Sequence, residues 1–586
     1  MTIRLIGVAV LAACVPIPVV CAAEADLDDA AVERMWKSGR TLPLSVSARH
    51  PLPKMRLRAD TGVNVLVDLA HQCAFATLWS LPGALSRSGF RAVGSQATLD
   101  TVLTEGKPCR VRIPVGKRWP FAWWPVSRFN VLITYQGSLR SQEYLPAERE
   151  AVKAFVEAGG GLIVIGTRPP SEGAAAAWSL NALAARFGGR FSHRTDKLGG
   201  RNVTTLKLDG DWNVLDKGAA GLPVRARRTV GKGRVVLLDS LAAVLPGRND
   251  EAKQKADKTR RLVELVKWAA GGTKPVGGEP RLPTAMAGGG GIYPELTQRV
   301  GNMVVFYARN QKEHLLKTVR EDLPAVGKQL QAWLPSKVTP VPMFLVLSAG
   351  GGGGWAVNAY EPKEVGVISL DGLGVISVFA HELAHTMGGP PNGKGRIAGQ
   401  SPHHNQGEAH AGWFQGKIVA QRTKSGKPVK NCNSLFRFDK DGRSLDLAAG
   451  EGANNKKWGK GRHWTKLWWI FQTLDDRYGT TWYPRWRWVQ HMRWRDDPGH
   501  RVSWDEMVEE MSIAVGEDLF PFFRAIGTTL NRQRLERTTF LGKAIDLPVA
   551  PLKVAPAGPA RLDPIGDYKK PIKPRPTPHP REEDRT

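Results

Sequence analysis

The sequence predicts an α/β domain followed by a mostly helical α+β domain, and three observations support this. Between residues 56 and 275, β-branched apolar runs alternate with segments of helical periodicity, which is typical of a parallel sheet with helices on its faces. Residues 276–292 are rich in Gly and Pro and predict an interdomain linker. Residues 293–547 then contain apolar-periodic helices around a few strands. A chain of 586 residues can form two or three full-sized cores.

The first domain, residues 56–275, is predicted from four strands and one helix. Strands are expected over residues 63–69, 131–135, 162–166 and 233–239, and a helix over residues 145–158. Three glycines, at positions 159–161, follow that helix and precede a strand. A phosphate-binding loop requires the opposite order, a strand followed by a glycine-rich turn and a helix, so this type of site is excluded.

The second domain is predicted from helices and strands around one apolar helix. We expect one or two helices over residues 309–334, strands over 341–348 and 365–370, a flexible Gly-rich loop over 350–354, and a helix over 371–387. In the last helix Ile376, Phe379 and Leu383 recur at helical spacing, so one face should be buried. Gly388 and Pro390 should end this helix.

Both ends of the chain are predicted to lie outside the folded domains. An apolar run over residues 5–13 follows Arg4 and is too short to span a bilayer, so we interpret residues 1–25 as a signal peptide of an exported protein. The site Ala23-Glu24-Ala25 favours secretory cleavage, while Cys14 in a lipoprotein box is the alternative. Residues 26–55 form an arm, and the Pro-rich tail, residues 548–586, is expected to be disordered. No transmembrane helix is expected in the mature chain.

The cysteines are too few and too scattered for a zinc finger. Cys73 and Cys109 lie in the same domain, and either a disulfide or two buried thiols is compatible with the sequence. Cys432 stands apart, and no pair of cysteines has the spacing of a structural zinc site.

The chain is strongly basic, with 83 Lys and Arg against 54 Asp and Glu and a formal net charge of +29. A basic surface concentrates polyanions. The charge is nevertheless spread along the chain, and no nucleic-acid-binding motif is present, so nucleic acid is not the expected partner. For an exported protein the charge favours acidic glycans or anionic envelope polymers.

The strongest chemical signal is the motif His381-Glu382-Leu383-Ala384-His385. On a helix, positions i and i+4 lie on one face, so His381 and His385 can bind one metal ion. Glu382 lies beside that ion, where it can activate a bound water. Two His plus one carboxylate leave a fourth position open, as a catalytic zinc site requires. The motif therefore predicts Zn²⁺-dependent hydrolysis, most simply of a peptide bond in a protein or glycoprotein.

A third zinc ligand is expected from a later segment of small residues. Glu408 lies in Gly-Glu-Ala-His-Ala-Gly-Trp, whose small side chains allow close approach to the motif helix. His404 and His410 are the rival ligands, and His403 is also near. We favour Glu408 because His410, two residues further on, would point to another helix face.

These motifs resemble the enhancin and mucin-peptidase branch of the gluzincin metallopeptidases, peptidase family M sixty. The resemblance rests on HELAHT with a later Glu, on WWIFQTLDDRYG at residues 468–479, and on MSIAVGEDLFPFFRAIG at residues 511–527. It covers residues 280–547. It implies that His381, His385 and Glu408 hold zinc and that Glu382 is the general base. The Gly/Pro-rich stretch after the motif departs from the family pattern, which indicates a divergent branch.

A second resemblance concerns the first domain. The stretch AVKAFVEAGGGLIVIGT, residues 151–167, looks like a flavodoxin-type, glutamine-amidotransferase-like domain. Neither Cys73 nor Cys109 has the G-x-C-x-G context of a nucleophile elbow. We therefore interpret this domain as a non-catalytic scaffold or binding module.

Two features leave alternatives open. Trp residues are concentrated after position 460, where they can stack on sugars or, more commonly, pack between helices.

An electrophilic side chain should stabilise the oxyanion of the reaction. The candidates for that role are Tyr360, His403, His404, His410, Tyr478 and Tyr483. A peptidase-like protein that binds glycans or the envelope with little or no catalysis is the alternative function.

Overall fold

The structure is a computed structural model, and it describes part of the chain. The described residues are 60–74, 76–104, 108–112, 121–125, 129–138, 141–247, 250–272, 291–292, 294, 296–300, 303–311, 313–333, 343–348, 353–357, 363–368, 372–386, 411–413, 415–416, twelve residues between 470 and 489, 503–525, 530–533 and 535. The predicted signal peptide, arm and Pro-rich tail lie outside them. So do Glu408, Tyr360, His403, His404 and His410.

The first domain is built on a ten-stranded mixed sheet with an additional two-stranded hairpin. In chain order the strands are β1 (Asn64–Asp68), β2 (Arg91–Ser95), β3 (Pro108–Arg112), β4 (Phe121–Pro125), β5 (Val131–Tyr135), β6 (Gly161–Ile165), β7 (Gly189–Leu198), β8 (Arg201–Leu208), β9 (Asn213–Lys217), β10 (Pro223–Val230), β11 (Gly233–Leu238) and β12 (Gly291–Ile292). The large sheet has the order β4-β3-β12-β2-β1-β5-β6-β11-β10-β9, and β7 pairs only with β8. Its six central strands, β12 to β11 in that order, are parallel.

Helices cover both faces of this sheet. They are α1 (Leu81–Arg87), α2 (Leu99–Leu103), α3 (Pro146–Glu157), α4 (Glu172–Ala177), α5 (Ser179–Ala184) and α6 (Ala252–Ala270). Alternate residues of one strand enter opposite cores, since side chains alternate across a strand: Leu132 packs with Val152 of α3, whereas Ile133 packs with Val266 of α6. The expected α/β organisation of this domain is confirmed at the level of a mixed sheet flanked by helices.

Local predictions for the first domain agree closely with these elements. Strand β5 has the predicted bounds, and α3 lies within the predicted helix 145–158. Gly159 has φ of +116° immediately after α3, and β6 begins at Gly161. The helix-then-strand order that excluded a phosphate loop is therefore present.

The second domain combines a five-stranded sheet with helices. The strands are β13 (Leu296–Val300), β14 (Met303–Tyr307), β15 (Met343–Ser348), β16 (Gly353–Val357) and β17 (Lys363–Ile368), in the order β13-β14-β15-β17-β16. The described helices of at least five residues are α7 (Glu313–Trp333), α8 (Gly372–Thr386), α9 (Trp504–Val515) and α10 (Phe520–Ala525). Strand β16 runs antiparallel to β17 at the edge of the sheet. The prediction of a flexible loop over 350–354 is wrong for Gly353 and Gly354, which begin β16.

The core of this domain is apolar and strongly aromatic. Phe379 and Leu383 of α8 are fully buried in it, as the helical spacing predicted. Trp482 and Trp486 are also fully buried, and their rings stack 5.8 Å apart. These two Trp side chains therefore pack between helices, the more common of the two roles considered for them.

The two domains meet through a short strand and a turn. Strand β12, which comes from the end of the predicted linker 276–292, pairs with β2 of the first domain. In the turn after β14, Asn310 donates from Nδ2 to the Ala70 carbonyl, 3.2 Å away, and Arg309 binds the Asp100 carboxylate. This turn therefore lies at the carboxyl end of β1. Within the described residues, none of the helices is both long and apolar enough to cross a bilayer.

Candidate functional site

Helix α8 carries the predicted metal-binding motif and directs its apolar face into the core. Val375, Phe379 and Leu383, four residues apart, are buried and fix the rotation of the helix. His381 lies on another face and is partly exposed. His385 is four residues later on the same helix, so its backbone is on the same face as His381. The side chain of His385 lies outside the described residues.

The His381 ring is held by a side chain from a distant segment. His381 Nδ1 lies 3.0 Å from Gln415 Oε1. The other end of the same amide, Gln415 Nε2, donates to Ser377 Oγ on α8. A carbonyl oxygen only accepts hydrogen bonds, so Nδ1 of the neutral ring carries the hydrogen. The Nε2 atom of His381 then presents its lone pair, which is the form that binds a metal.

Glu382 is buried where α8 meets the edge strand. Its side chain is 7% exposed. A Cβ placed on Gly354 of β16 would lie 2.7 Å from Glu382 Cγ and 2.4 Å from Val378 Cγ1. Real Cβ atoms do not approach that closely, so any larger residue at this position requires β16, Val378 or Glu382 to shift. The strand backbone consequently lies directly beside the Glu382 carboxylate.

Two of the predicted site side chains are thus placed, and two are not. His381 and Glu382 are described with their contacts, His385 is described by its backbone, and Glu408 lies outside the described residues together with its rivals His404 and His410. Among the described residues there is no group of three or more His, Cys, Asp or Glu side chains that could hold a metal ion. The segment just after Glu408 is described at residues 411–413 and 415–416, which are helical, and it contacts α8 through Gln415.

The donor types present fit zinc. An imidazole whose second nitrogen is already engaged is the usual form of a zinc-bound His. His381 has that arrangement, and His385 follows at the spacing at which two imidazoles of one helix bind one ion. Nitrogen donors completed by a carboxylate oxygen are a common set for zinc with an open position.

Both described tyrosine candidates for oxyanion stabilisation are packed into the core. Tyr478 is 2% exposed and donates its hydroxyl to Glu517 Oε2 at 2.6 Å. Burial, followed by the hydrogen bond and charge of Glu517, raises the pKa of Tyr478 above its ordinary value. Tyr483 is also 2% exposed, with its ring centroid 4.5 Å from that of Trp413. These contacts favour structural roles for both side chains.

The first domain contains a buried polar cluster that no local sequence pattern predicts. His71 lies between two carboxylates, with Nδ1 2.8 Å from Asp68 Oδ2 and Nε2 3.2 Å from Glu148 Oε2. Thr134 also donates to Asp68, at 2.7 Å, and the Tyr144 ring stacks on His71 with centroids 3.7 Å apart. None of these side chains is more than 3% exposed, so the cluster stabilises the fold and does not contact a substrate. Cys73 is buried nearby, while the side chain of Cys109 lies outside the described residues, so a disulfide and two separate thiols both stay open.

No family model matches this chain, and no curated protein matches it. Solved structures similar to it include the mmIFT52 N-terminal domain, at 13% identity over 37% of this chain and 100% of that chain, with a TM-score of 0.25. They also include the cytoplasmic protein STM3548 from Salmonella typhimurium, at 13% identity over 35% of this chain and 97% of that chain, with a TM-score of 0.21. These TM-scores are too low to support a conclusion about fold or function.

Proposed function

We propose that this chain is an exported zinc metallopeptidase that cleaves peptide bonds in proteins or glycoproteins. The observation that carries the proposal is the arrangement at one end of α8. There the Nδ1 atom of His381 is held by Gln415, and the buried Glu382 lies beside the edge strand β16. A binding protein has no need of this combination of a fixed imidazole, a second His one turn later and a buried carboxylate.

The metal would be held by His381, His385 and Glu408, the set that the gluzincin resemblance implies. When bound, zinc supplies polarisation of the scissile carbonyl and acidification of a water molecule. Gln415 engages the Nδ1 atom of His381 and thereby fixes the orientation of the ring that would bind the metal.

Glu382 is the proposed general base. It receives the proton of the attacking water and then transfers it to the nitrogen of the leaving amine, so one carboxylate serves both proton transfers. Its burial, at 7% exposure, keeps bulk water away from the reacting atoms and strengthens its interaction with nearby positive charge. Contact with Gly354 restricts where the carboxylate can lie, which orients it for proton transfer.

The substrate is proposed to bind as an extended peptide along β16. This strand is at the edge of its sheet among the described strands, and it passes next to Glu382. Extended peptides add to such edges by main-chain hydrogen bonds, which are independent of the side chains of the substrate. The first domain, which we propose to be amidotransferase-like without a nucleophile, would act as a scaffold or as a module for glycans or anionic envelope polymers. The position of Cys14 also allows a lipid-anchored form.

The decisive experiment compares wild type with Glu382→Gln. Peptide and glycoprotein substrates are incubated with each protein, the cleavage products are identified by mass spectrometry, and zinc content is measured in parallel. Glu382→Gln should keep its zinc and lose activity by a factor of roughly 10² to 10⁴, since general-base catalysis contributes about that much. Glu321→Gln, in the exposed Lys317–Glu321 pair of α7, is the matched control and should be fully active.

The second candidate function is a peptidase-like protein that binds glycans or the envelope. The basic composition of the chain favours it, since 83 Lys and Arg attract polyanions. If the wild-type protein binds anionic polymer without zinc and cleaves none of the substrates, this candidate is supported and the proposal of a peptidase is contradicted.

A further inference from the structure

We infer that Gln415 is a positioning residue of the metal site, which fixes the ring nitrogen that His381 presents to the metal. This inference rests on the proposed zinc chemistry. Gln415 is outside the HExxH motif and is separated from His381 by 34 positions, so the motif itself gives no indication of it.

The Gln415 amide connects two side chains that lie one turn apart on α8. Its Oε1 atom is 3.0 Å from His381 Nδ1, and its Nε2 atom donates to Ser377 Oγ. The two ends of an amide are chemically different, because one only accepts and the other only donates. In the observed orientation of the amide Nε2 faces Ser377 and Oε1 faces the imidazole, and in this arrangement the neutral His381 ring donates from Nδ1. The neutral ring then has one tautomer, with Nε2 as the metal-binding atom.

The backbone around Gln415 is anchored, so the amide is held in place. Trp413, two residues earlier, is 5% exposed, and its ring lies against Phe471 and Tyr483 in the core, with centroids 6.0 Å and 4.5 Å away. This packing anchors the segment in the core independently of the amide. The amide therefore loses little conformational entropy when the metal binds, and this favours a high affinity for zinc.

The same segment is the one proposed to supply the third zinc ligand. Glu408 precedes Gln415 by seven positions in the sequence. The contact between Gln415 and α8 thus ties together the two parts of the chain that carry the proposed ligands. Loss of this contact should weaken zinc binding through the orientation of His381.

Gln415 is also a neutral partner, and this has a measurable consequence. When a carboxylate accepts a hydrogen bond from a metal-bound imidazole, it raises the basicity of the ring and strengthens its bond to the metal more than a neutral carbonyl does. Gln415→Glu retains an acceptor at the same distance and adds a charge. It should therefore hold zinc at least as tightly as the wild type, whereas Gln415→Leu, which has no acceptor, should not.

The experiment measures zinc affinity by competition with a chromogenic chelator on the full chain. Removal of a hydrogen-bond partner of a metal-bound His weakens metal binding about 10- to 100-fold, and we expect a loss of that size in Gln415→Leu. Ser377→Ala, which removes only the orientation of the amide, should lose less. Asn202→Leu, an exposed amide on β8, is the matched control and should bind like the wild type.

Rescue by Gln415→Glu separates positioning from packing. If Gln415→Glu and Gln415→Leu lose zinc equally, the side chain acts only through packing and the inference is wrong. Wild-type affinity in Gln415→Leu also overturns it. A wild type that binds no zinc in the same assay is a different result, because it removes the proposed function and this inference together.

Discussion

His71 Nδ1 lies 2.8 Å from Asp68 Oδ2 in the first domain, and neither side chain is exposed. The second ring nitrogen of His71 faces Glu148 at 3.2 Å. Glu148 in turn accepts hydrogen bonds from the backbone N–H groups of Leu99 and Leu145, each at 2.8 Å. One buried imidazolium with two carboxylates therefore connects the end of β1 to the first residues of α2 and α3.

Replacement of His71 should destabilise the first domain locally. In His71→Gln the two carboxylates lose a buried positive partner, and breaking a buried ion pair costs roughly 3–5 kcal/mol. Hydrogen exchange should accelerate in peptides that contain β1 and β5, which flank the cluster. His193→Gln, whose ring lies in a more exposed ion pair with Glu172, is the control and should leave exchange unchanged. Equal protection in His71→Gln and wild type would show that the cluster contributes little.

The same cluster predicts a loss of stability at alkaline pH. Burial by itself lowers the pKa of His71, but the charges and hydrogen bonds of Asp68 and Glu148 outweigh it and raise the pKa to about 10. Because the folded pKa exceeds the unfolded value of 6.5, this contribution is complete below pH 6.5 and is lost as pH rises through 10.

The measurement is the pH dependence of the stability of the first domain. For one proton its slope approaches about 1.4 kcal/mol per pH unit between these two pKa values. Tyr144, which stacks on His71, has its pKa raised well above the ordinary value, mainly by burial, so it stays neutral over this interval. His71→Gln should lack the slope, and Lys and Tyr ionisation elsewhere cancels in the comparison of the two proteins. A slope of equal size in both proteins would contradict the assignment to His71.

The sequence predicted elements where a local pattern determines the structure. Strand β5 and helix α8 follow from a continuous apolar run and from helical spacing. Contacts between distant polar residues were not predictable in this way. His71 and Glu148 are 77 positions apart, and His381 and Gln415 are 34 apart, and no local pattern indicates which polar side chains meet after folding. Glycines misled the prediction at β16, because Gly354 is required by the close approach of Glu382 and not by a loop.

Gly354→Ala should impair catalysis more than it impairs the folding of the second domain, to which β16 belongs. The added methyl group would lie 2.4 Å from Val378 Cγ1 and 3.0 Å from Glu382 Oε1, so either β16 or Glu382 must move. Overpacking of this kind costs about 1–3 kcal/mol. Displacement of the base should lower kcat, with zinc content retained, in a peptide cleavage assay. Gly173→Ala is the matched control, since a Cβ there meets nothing within 4 Å. Unchanged kcat in Gly354→Ala would mean that this contact does not position Glu382.

Loss of the turn after β14 should loosen the connection between the two domains. Arg309 bridges to Asp100 and donates to Thr98 at 2.8 Å, and Asn310 donates to the Ala70 carbonyl beside the His71 cluster. The double variant Arg309→Ala/Asn310→Ala removes these hydrogen bonds and leaves the pairing of β12 with β2 and β3 in place. We expect faster limited proteolysis between β12 and β13, where the chain passes from one sheet to the other, because cleavage of a connection follows the fraction of molecules in which it is accessible. Arg260→Ala, an exposed residue of α6 paired with Asp257, is the control for loss of a surface charge. A cleavage rate equal to that of the wild type would show that these hydrogen bonds do not hold the two domains together.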